Sequence, residues 1–239
     1  MLPSYREYRP PAGLEPVVAC LWEHAPAEDR AQRIVPDGCV DLIWVAEREL
    51  EIAGPDTGPR IVDLPGGTRS SGIRLRPGAA GALLGLPASE VRDLQVAPEL
   101  VWGEAFAGFE EALATAEPAR RLELLADAVA RRRGAPDALV VAAASRLAVP
   151  GARVAGVAAE LGVGERQLHR RTLAAVGYGP KMLARVARLR RLVALADESL
   201  ASRALAAGYA SQAHMTDEVR RLTGMTPVRF LEDAELTAA

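Results

Sequence analysis

The chemically capable side chains of this sequence are cations in a regular pattern rather than nucleophiles. Residues 150–229 carry 13 Lys and Arg against 6 Asp and Glu, whereas residues 1–134 carry 15 Arg against 21 Asp and Glu. A basic stretch therefore follows an acidic one, although the net charge of the chain is only −2. Such a stretch suits a polyanion, because each Lys or Arg seated on a phosphate releases condensed counterions. The string ERQLHRR (165–171) adds groups able to read bases. Arginine bonds both acceptors of guanine, and glutamine matches the edge of adenine. With Glu165 opening a helix, Arg166, Gln167 and Arg170 project from its first turns, where base edges lie nearest.

Other chemistries lack their residues. Cys20 and Cys39 make no disulfide framework, and no CxxC or Cys/His cluster with zinc spacing is present. No Ser/His/Asp set, HExxH or phosphate loop occurs, so no enzyme activity, cofactor or metal is expected. Two alternatives rest on the cysteines. One is a cysteine-dependent enzyme of the DNA alkyl-transfer repair type, and the other is a thiol redox sensor. A redox pair needs its Cα atoms within about 7 Å. Both thiols lie in apolar runs and read as small core hydrophobes. The start, MLPSYREYRPP, is polar and proline-rich, unlike a signal peptide, and no apolar run has the length of a membrane span. A cytoplasmic location is the default expectation.

The elements that must position the cations follow from periodicity. VVACLWE (17–23), CVDLIWVA (39–46), ELEIA (49–53), RIVDL (60–64) and SGIRLRP (71–77) read as strands separated by Gly- and Pro-containing turns. Antiparallel pairing into a small barrel or sandwich follows. From Gly78 the pattern turns helical, with EAFAGFEEALATA and PARRLELLADAVARRR as clear helices. The run Arg131-Arg132-Arg133-Gly134-Ala135-Pro136 ends the second of these and sets the expected domain boundary, 1–134 against 135–239. Beyond it all is helix and turn: 136–149, a split pair at 154–177, a long helix at 179–197 and a second split pair at 199–224.

The split pairs are an internal repeat. In each, a short helix of small residues ends at a glycine, Gly162 or Gly208, and a longer polar helix follows a three-residue turn. That is the pattern of a helix-turn-helix unit. Ser211 is placed as an N-cap. On the connecting helix, Val186, Leu189, Val193 and Ala196 form an apolar stripe, and Arg185 and Arg188 lie partly off it, facing candidate phosphates.

The strings ERQLHRRTLAAVGYGPK (165–181) and GYASQAHMTDEVRRLTGMTPVRF (208–230) resemble the DNA-binding domain of AraC/XylS-type regulators over roughly residues 136–231. The resemblance implies double-stranded DNA as partner. It implies DNA-facing positions at Arg166, Gln167, Arg170 and Arg171 in the first unit, and at Ser211, Gln212, His214 and Met215 in the second. The chain departs from the family at Asp217, where a basic residue is usual.

The first 134 residues resemble, more weakly, the cupin-like sensor domains that precede such modules, through IVPDGCVDLIWV (34–45). A small-molecule effector is the expectation, with Trp22, His24, Asp41, Trp44, Arg74 and Arg76 as candidate lining residues. His24 is the single histidine there, which argues against a metal-binding cupin. Together these readings predict an α+β chain. A β-rich cupin-like barrel with trailing helices precedes an all-α domain of two helix-turn-helix units joined by a long helix, and a homodimer is compatible with it. If such a chain neutralises about 6 phosphates, log K for a cognate duplex falls with log salt at a slope near −5. A titration series in KCl measures that slope, and a flat response refutes phosphate-dominated binding.

Overall fold

The computed structural model describes residues 5–106, 108–132, 134–195 and 199–233. Arg133 of the expected boundary, and Ala196 and Asp197 at the end of the expected connecting helix, lie outside these. The strands are β1 (Tyr5–Tyr8), β2 (Val18–His24), β3 (Arg30–Ile34), β4 (Val40–Val45), β5 (Glu49–Ala53), β6 (Arg60–Leu64), β7 (Ser70–Leu75) and β8 (Gln95–Val96). Six of them form one sheet in the order β1-β2-β7-β4-β5-β8, and β3 and β6 form a separate ribbon. Every pairing is antiparallel.

Alternation along the strands gives the large sheet two different faces. Leu42 lies opposite Ile73 and Ile52 in register. With Trp44, Leu50 and Leu75 they form one apolar face, each at most 2% exposed. Removing each such side chain from water contributes about 1.5–3 kcal/mol. This face packs on short helices α1 (Ala80–Leu84), α2 (Pro98–Trp102) and α3 (Phe109–Thr115) and on the longer α4 (Pro118–Arg132), through Leu83, Leu113, Leu125 and Val129. The opposite face presents Asp41, Ile43, Val45, Glu51 and Arg74 toward the ribbon.

Three strands were not legible. β1 (YREY), β3 (RAQRI) and the two-residue β8 lack the apolar alternation of a half-buried strand, and β1 and β3 are largely polar. The helix expected over EAFAGFEEALATA is split into a 3-10 turn, Gly103–Phe106, and α3, with the left-handed Gly108 ahead of α3.

The C-terminal part comprises α5 (Ala138–Leu147), α6 (Val154–Glu160), α7 (Glu165–Val176), α8 (Pro180–Ala194), α9 (Leu200–Ala206), α10 (Gln212–Thr223) and α11 (Pro227–Glu232). The pairs α6–α7 and α9–α10 are the two helix-turn-helix units, and α8 connects them. At 15 residues α8 spans about 22 Å. Its first half gives Leu183, Ala184 and Val186 to a core with Leu168 and Val176 of the first unit. Its second half gives Leu189 and Leu192 to a core with Met215, Val219, Leu222 and Phe230 of the second. Leu192 takes the inward place expected for Val193, which is 37% exposed.

The turn of the second unit depends on Gly208, whose φ is +90°. Arg191 fastens the same corner by donating from Nη1 to the Ala207 carbonyl at 2.7 Å. A β-branched side chain at a left-handed position carries about 1–3 kcal/mol of backbone strain. Gly208→Val is therefore expected to lower Tm by several degrees and weaken DNA binding in parallel, as read by calorimetry and a binding isotherm. Unchanged melting would place the turn elsewhere.

Candidate nucleic-acid interface and effector cavity

In the first unit, α7 buries Leu168, Thr172, Ala175 and Val176 and turns Arg166, Gln167 and Arg170 to solvent. Among the described residues these three side chains have no hydrogen-bond or ion-pair partner. Arg171 differs. Its Nε and Nη2 donate to Asp137 at 2.7 and 2.6 Å. Asp137 is also the N-cap of α5, accepting from the amides of Leu139 and Val140. Burial opposes the Asp137 charge, yet the Arg171 fork and these amides hold its carboxyl below the usual range. Arg171 thus belongs to the scaffold, correcting its expected DNA-facing place. One residue is about 100° of helix rotation, which carries it from the Arg170 face round to α5.

In the second unit, Ser211 caps α10 by accepting from the His214 amide at 3.1 Å, and Gln212 is exposed. The imidazole of His214 accepts from the Ala210 amide at 3.2 Å and meets Tyr209 edge-on at 5.6 Å. Part of its surface remains accessible. Met215 is 0% exposed, within the core, and does not face DNA. The repeat explains why. Helices α7 and α10 begin at residues 165 and 212 and close at Gly177 and Gly224, so Met215 occupies the place of the buried Leu168. By the same register Asp217 stands where Arg170 stands.

Arg185 and Arg188 are also corrected. Arg185 Nε and Arg188 Nη2 each donate to the Glu218 carboxylate at 2.8 Å, and Arg188 lies over the Tyr209 ring. They tie the connecting helix to α10 instead of standing free for phosphates. The buried Glu218 draws them in, a pairing that the apolar stripe alone did not reveal. Burial works against the Glu218 charge, but the two guanidiniums outweigh it and hold the carboxyl below its ordinary value.

The other candidate site is a cavity of about 230 Å³ between the large sheet and the ribbon. Trp22, His24, Asp41 and Arg74 of the expected set line it. Their strands put them there: Cys20, Arg74 and Asp41 are cross-strand neighbours on β2, β7 and β4. Asp41 accepts from Trp22 Nε1 at 2.7 Å and from Arg74 Nε at 3.2 Å. Burial penalises the Arg74 charge, yet Asp41 and Asp37 more than offset it and keep the guanidinium charged. Desolvation lowers the pKa of the His24 imidazole.

Trp44 and Arg76 are not in the lining. Trp44 points to the opposite, helix-covered face, as alternation from Asp41 requires, and is 1% exposed. Arg76 lies beyond the end of β7, exposed, and donates to the Glu15 carbonyl. The expectation missed Asp37, Glu51 and the ribbon residues Gln32, Val62 and Leu64. A signal for the ribbon was present, since Arg60, Val62 and Leu64 alternate on one face of RIVDL.

The cysteine alternatives find no support in this geometry. Cys20 lies on β2 and Cys39 just before β4, with β7 between those strands. Two strand spacings are about 9.6 Å, beyond disulfide reach without moving the sheet. Burial pushes the Cys20 thiol up to about 12 and the Cys39 thiol well above its ordinary value, so neither is a ready thiolate.

Two helix-turn-helix units on one connecting helix, one with a basic and amide face that is unpaired among the described residues, define a DNA-binding transcription regulator. Comparison with known proteins agrees. Residues 157–233 match a family described as a helix-turn-helix domain, and residues 6–97 match a domain of unknown function (DUF6597). The C-terminal match takes in both helix-turn-helix units, from within α6 through α11.

Among solved structures it is similar to ToxT from Vibrio cholerae O395, at 12% identity and TM-score 0.46, with 99% of each chain covered. An apo ToxT variant from strain SCE256 gives 12% identity and TM-score 0.45, covering 89% of this chain and 96% of that one. Wild-type ToxT with bound unsaturated fatty acid gives 13% and 0.43, covering 90% and 94%. No curated protein sequence matches.

The Glu218 network has a measurable consequence. Its carboxyl is depressed in the folded chain, so its stabilisation is fully present above the unfolded value near 4.5 and is lost as pH falls through the lower folded value. Arg188→Ala leaves a buried carboxylate short of one partner. The expected cost is about 2–4 kcal/mol, somewhat below that of a fully buried pair because Arg188 partly reaches solvent. Glu218→Gln should flatten the acid limb of a Tm-against-pH curve. A limb identical to wild type would remove Glu218 from the acid response.

Proposed function

We propose that residues 135–239 bind DNA in a sequence-specific manner and that residues 1–134 hold a small-molecule effector that modulates this binding. The observation that carries the reading is the coexistence of two unlike sites in one chain. One is the partner-free Arg166, Gln167 and Arg170 face on α7. The other is a cavity between the sheet and the ribbon in which Asp41 pairs with Arg74 and Asp56 with Arg60, while Glu51 and Arg33 also line it. The apolar Ile43, Val45, Val62 and Leu64 beside these polar groups suit a compact ligand with an apolar body and a few polar groups. Such a protein works beside the chromosome, in the cytoplasm.

The two units contribute unequally. Arg166, Gln167 and Arg170 supply base readout, with Ser211, Gln212 and the accessible edge of His214 making lesser contacts in the second unit. Asp217 repels phosphate or accepts from a cytosine amino group.

The test is a selection of duplexes from a random library by the full-length protein, repeated with Arg170→Ala. The wild type should enrich a defined sequence. The variant should lose about 1–3 kcal/mol and relax one base position. An unchanged preferred sequence would remove Arg170 as a reader, and no enrichment by the wild type would overturn the DNA-binding reading. For the cavity, a thermal-shift screen of small amphiphilic metabolites should find ligands that stabilise the wild type and fail with Val62→Trp.

A further inference from the structure

Two loops of the cavity wall also touch both helix-turn-helix units. The first runs through residues 34–39. Its Asp37 and Cys39 line the cavity. Its Val35, also in the lining, is buried in the second unit's core with Leu189, Leu192 and Tyr209. Its Gly38 lies beneath the first unit, where a Cβ would stand 2.7 Å from the Tyr178 hydroxyl.

The second loop runs through residues 54–60. Its Asp56 and Arg60 line the cavity and pair with each other at 3.2 Å. Its two prolines face outward. Pro55 packs so tightly on Gly177 that a Cβ there would collide with the proline ring, and Pro59 packs on Gly224 at 3.5 Å from the corresponding point. Gly177 and Gly224 are the same position of the repeat, the left-handed residues that close α7 and α10. Arg92 adds a bond from Nη1 to the Gly177 carbonyl, and Arg33, a cavity residue, places its Nη1 against Gly224.

We infer that residues 54–60 act as a strap that sets the separation of the two recognition helices, and that occupation of the cavity behind the strap increases that separation. This rests on the reading that the cavity takes an effector. The reach of the chain supplies the argument. Four residues from Pro55 to Pro59 extend no more than about 14 Å. Allowing roughly 5–6 Å for each proline–glycine contact, at ordinary van der Waals separation, the ends of α7 and α10 are held within about 25 Å. Two recognition helices seated alike in successive major grooves of straight DNA stand about 34 Å apart. The strapped chain is therefore set short for a straight two-site duplex. A ligand that fills the cavity presses Asp37, Cys39, Asp56 and Arg60 outward, and the ends of both helices move with the loops that hold them.

The test replaces the unidentified ligand with a side chain. Val62 of β6 lines the cavity, whereas Ile61 on the same strand is 52% exposed and is absent from the lining. Val62→Trp puts an indole ring into the cavity, and Ile61→Trp is the control. Spin labels at Glu160→Cys on α6 and Arg221→Cys on α10 report the inter-unit distance, with native Cys20 and Cys39 buried. In the full chain, Val62→Trp should lengthen that distance by several ångströms. It should also raise affinity for a two-site duplex selected by the wild type by roughly fivefold or more, the lower end of ordinary coupling between sites. Affinity for the same duplex with one half-site scrambled should not change, and Ile61→Trp should change neither quantity.

A folded Val62→Trp with the wild-type distance overturns the strap. If Val62→Trp does not fold, the pair Pro55→Ala and Pro59→Ala serves instead. Removing both ring contacts should broaden the distance distribution, and an unchanged distribution overturns the inference. A wild type that binds no duplex at all refutes the DNA-binding reading instead, and the distance measurement still judges the strap.

Discussion

The seating of the second unit on its connecting helix depends on one buried carboxylate. Glu218 sits on the inner side of α10, 6% exposed, where a lone charge is strongly disfavoured. Arg185 and Arg188 come to it from the connecting helix, one turn apart, and Arg188 stacks on Tyr209 at the turn of the same unit. Three elements are thereby fixed by one charge: the connector, the turn and the second recognition helix. Apolar packing of Leu189, Leu192, Val219 and Leu222 brings α8 and α10 together but tolerates sliding. A two-armed demand from a buried acid does not, since a slide of part of a turn pulls both guanidiniums out of hydrogen-bond reach. The first unit solves the same problem differently, with Arg171 of α7 gripping the Asp137 cap of α5.

The two units are thus one scaffold held by different locks. Their buried positions correspond, Leu168 with Met215 and Thr172 with Val219, and the left-handed glycines that close them, Gly177 and Gly224, correspond as well. Their exposed positions have diverged, most clearly at Arg170 and Asp217. Selection on packing keeps the former alike, because cores respond to changes of a single methylene. Solvent-facing positions carry no such constraint and are free to follow the ligand.

How much of this was legible in the sequence depends on which force decides each feature. The five strands with apolar alternation and the helices with apolar spacing were legible because burial imprints its period on them. β1 and β3 were not, since a strand at an edge or in an exposed ribbon takes its pairing from its neighbour rather than from its own composition. The cavity was half legible. Alternation in VDLIWV assigned Asp41 to one face and Trp44 to the other, yet residue type alone proposed both. The arginines were the least legible. An arginine on a basic helix reads the same whether it awaits a phosphate or answers a buried acid, and only the three-dimensional positions of Asp137 and Glu218 separate Arg171, Arg185 and Arg188 from Arg166 and Arg170.

The inequality of Arg170 and Asp217 reaches beyond affinity. A symmetric homodimer presents the same surface to both halves of its target and is indifferent to which way the duplex runs. Here two unlike surfaces are joined covalently through α8 in a fixed order. On the proposed DNA-binding reading, a duplex laid along them has a head and a tail, and turning it end for end exchanges a cationic contact for an anionic one. The molecule therefore carries an arrow, and whatever assembles beside it on the DNA meets it from one defined side.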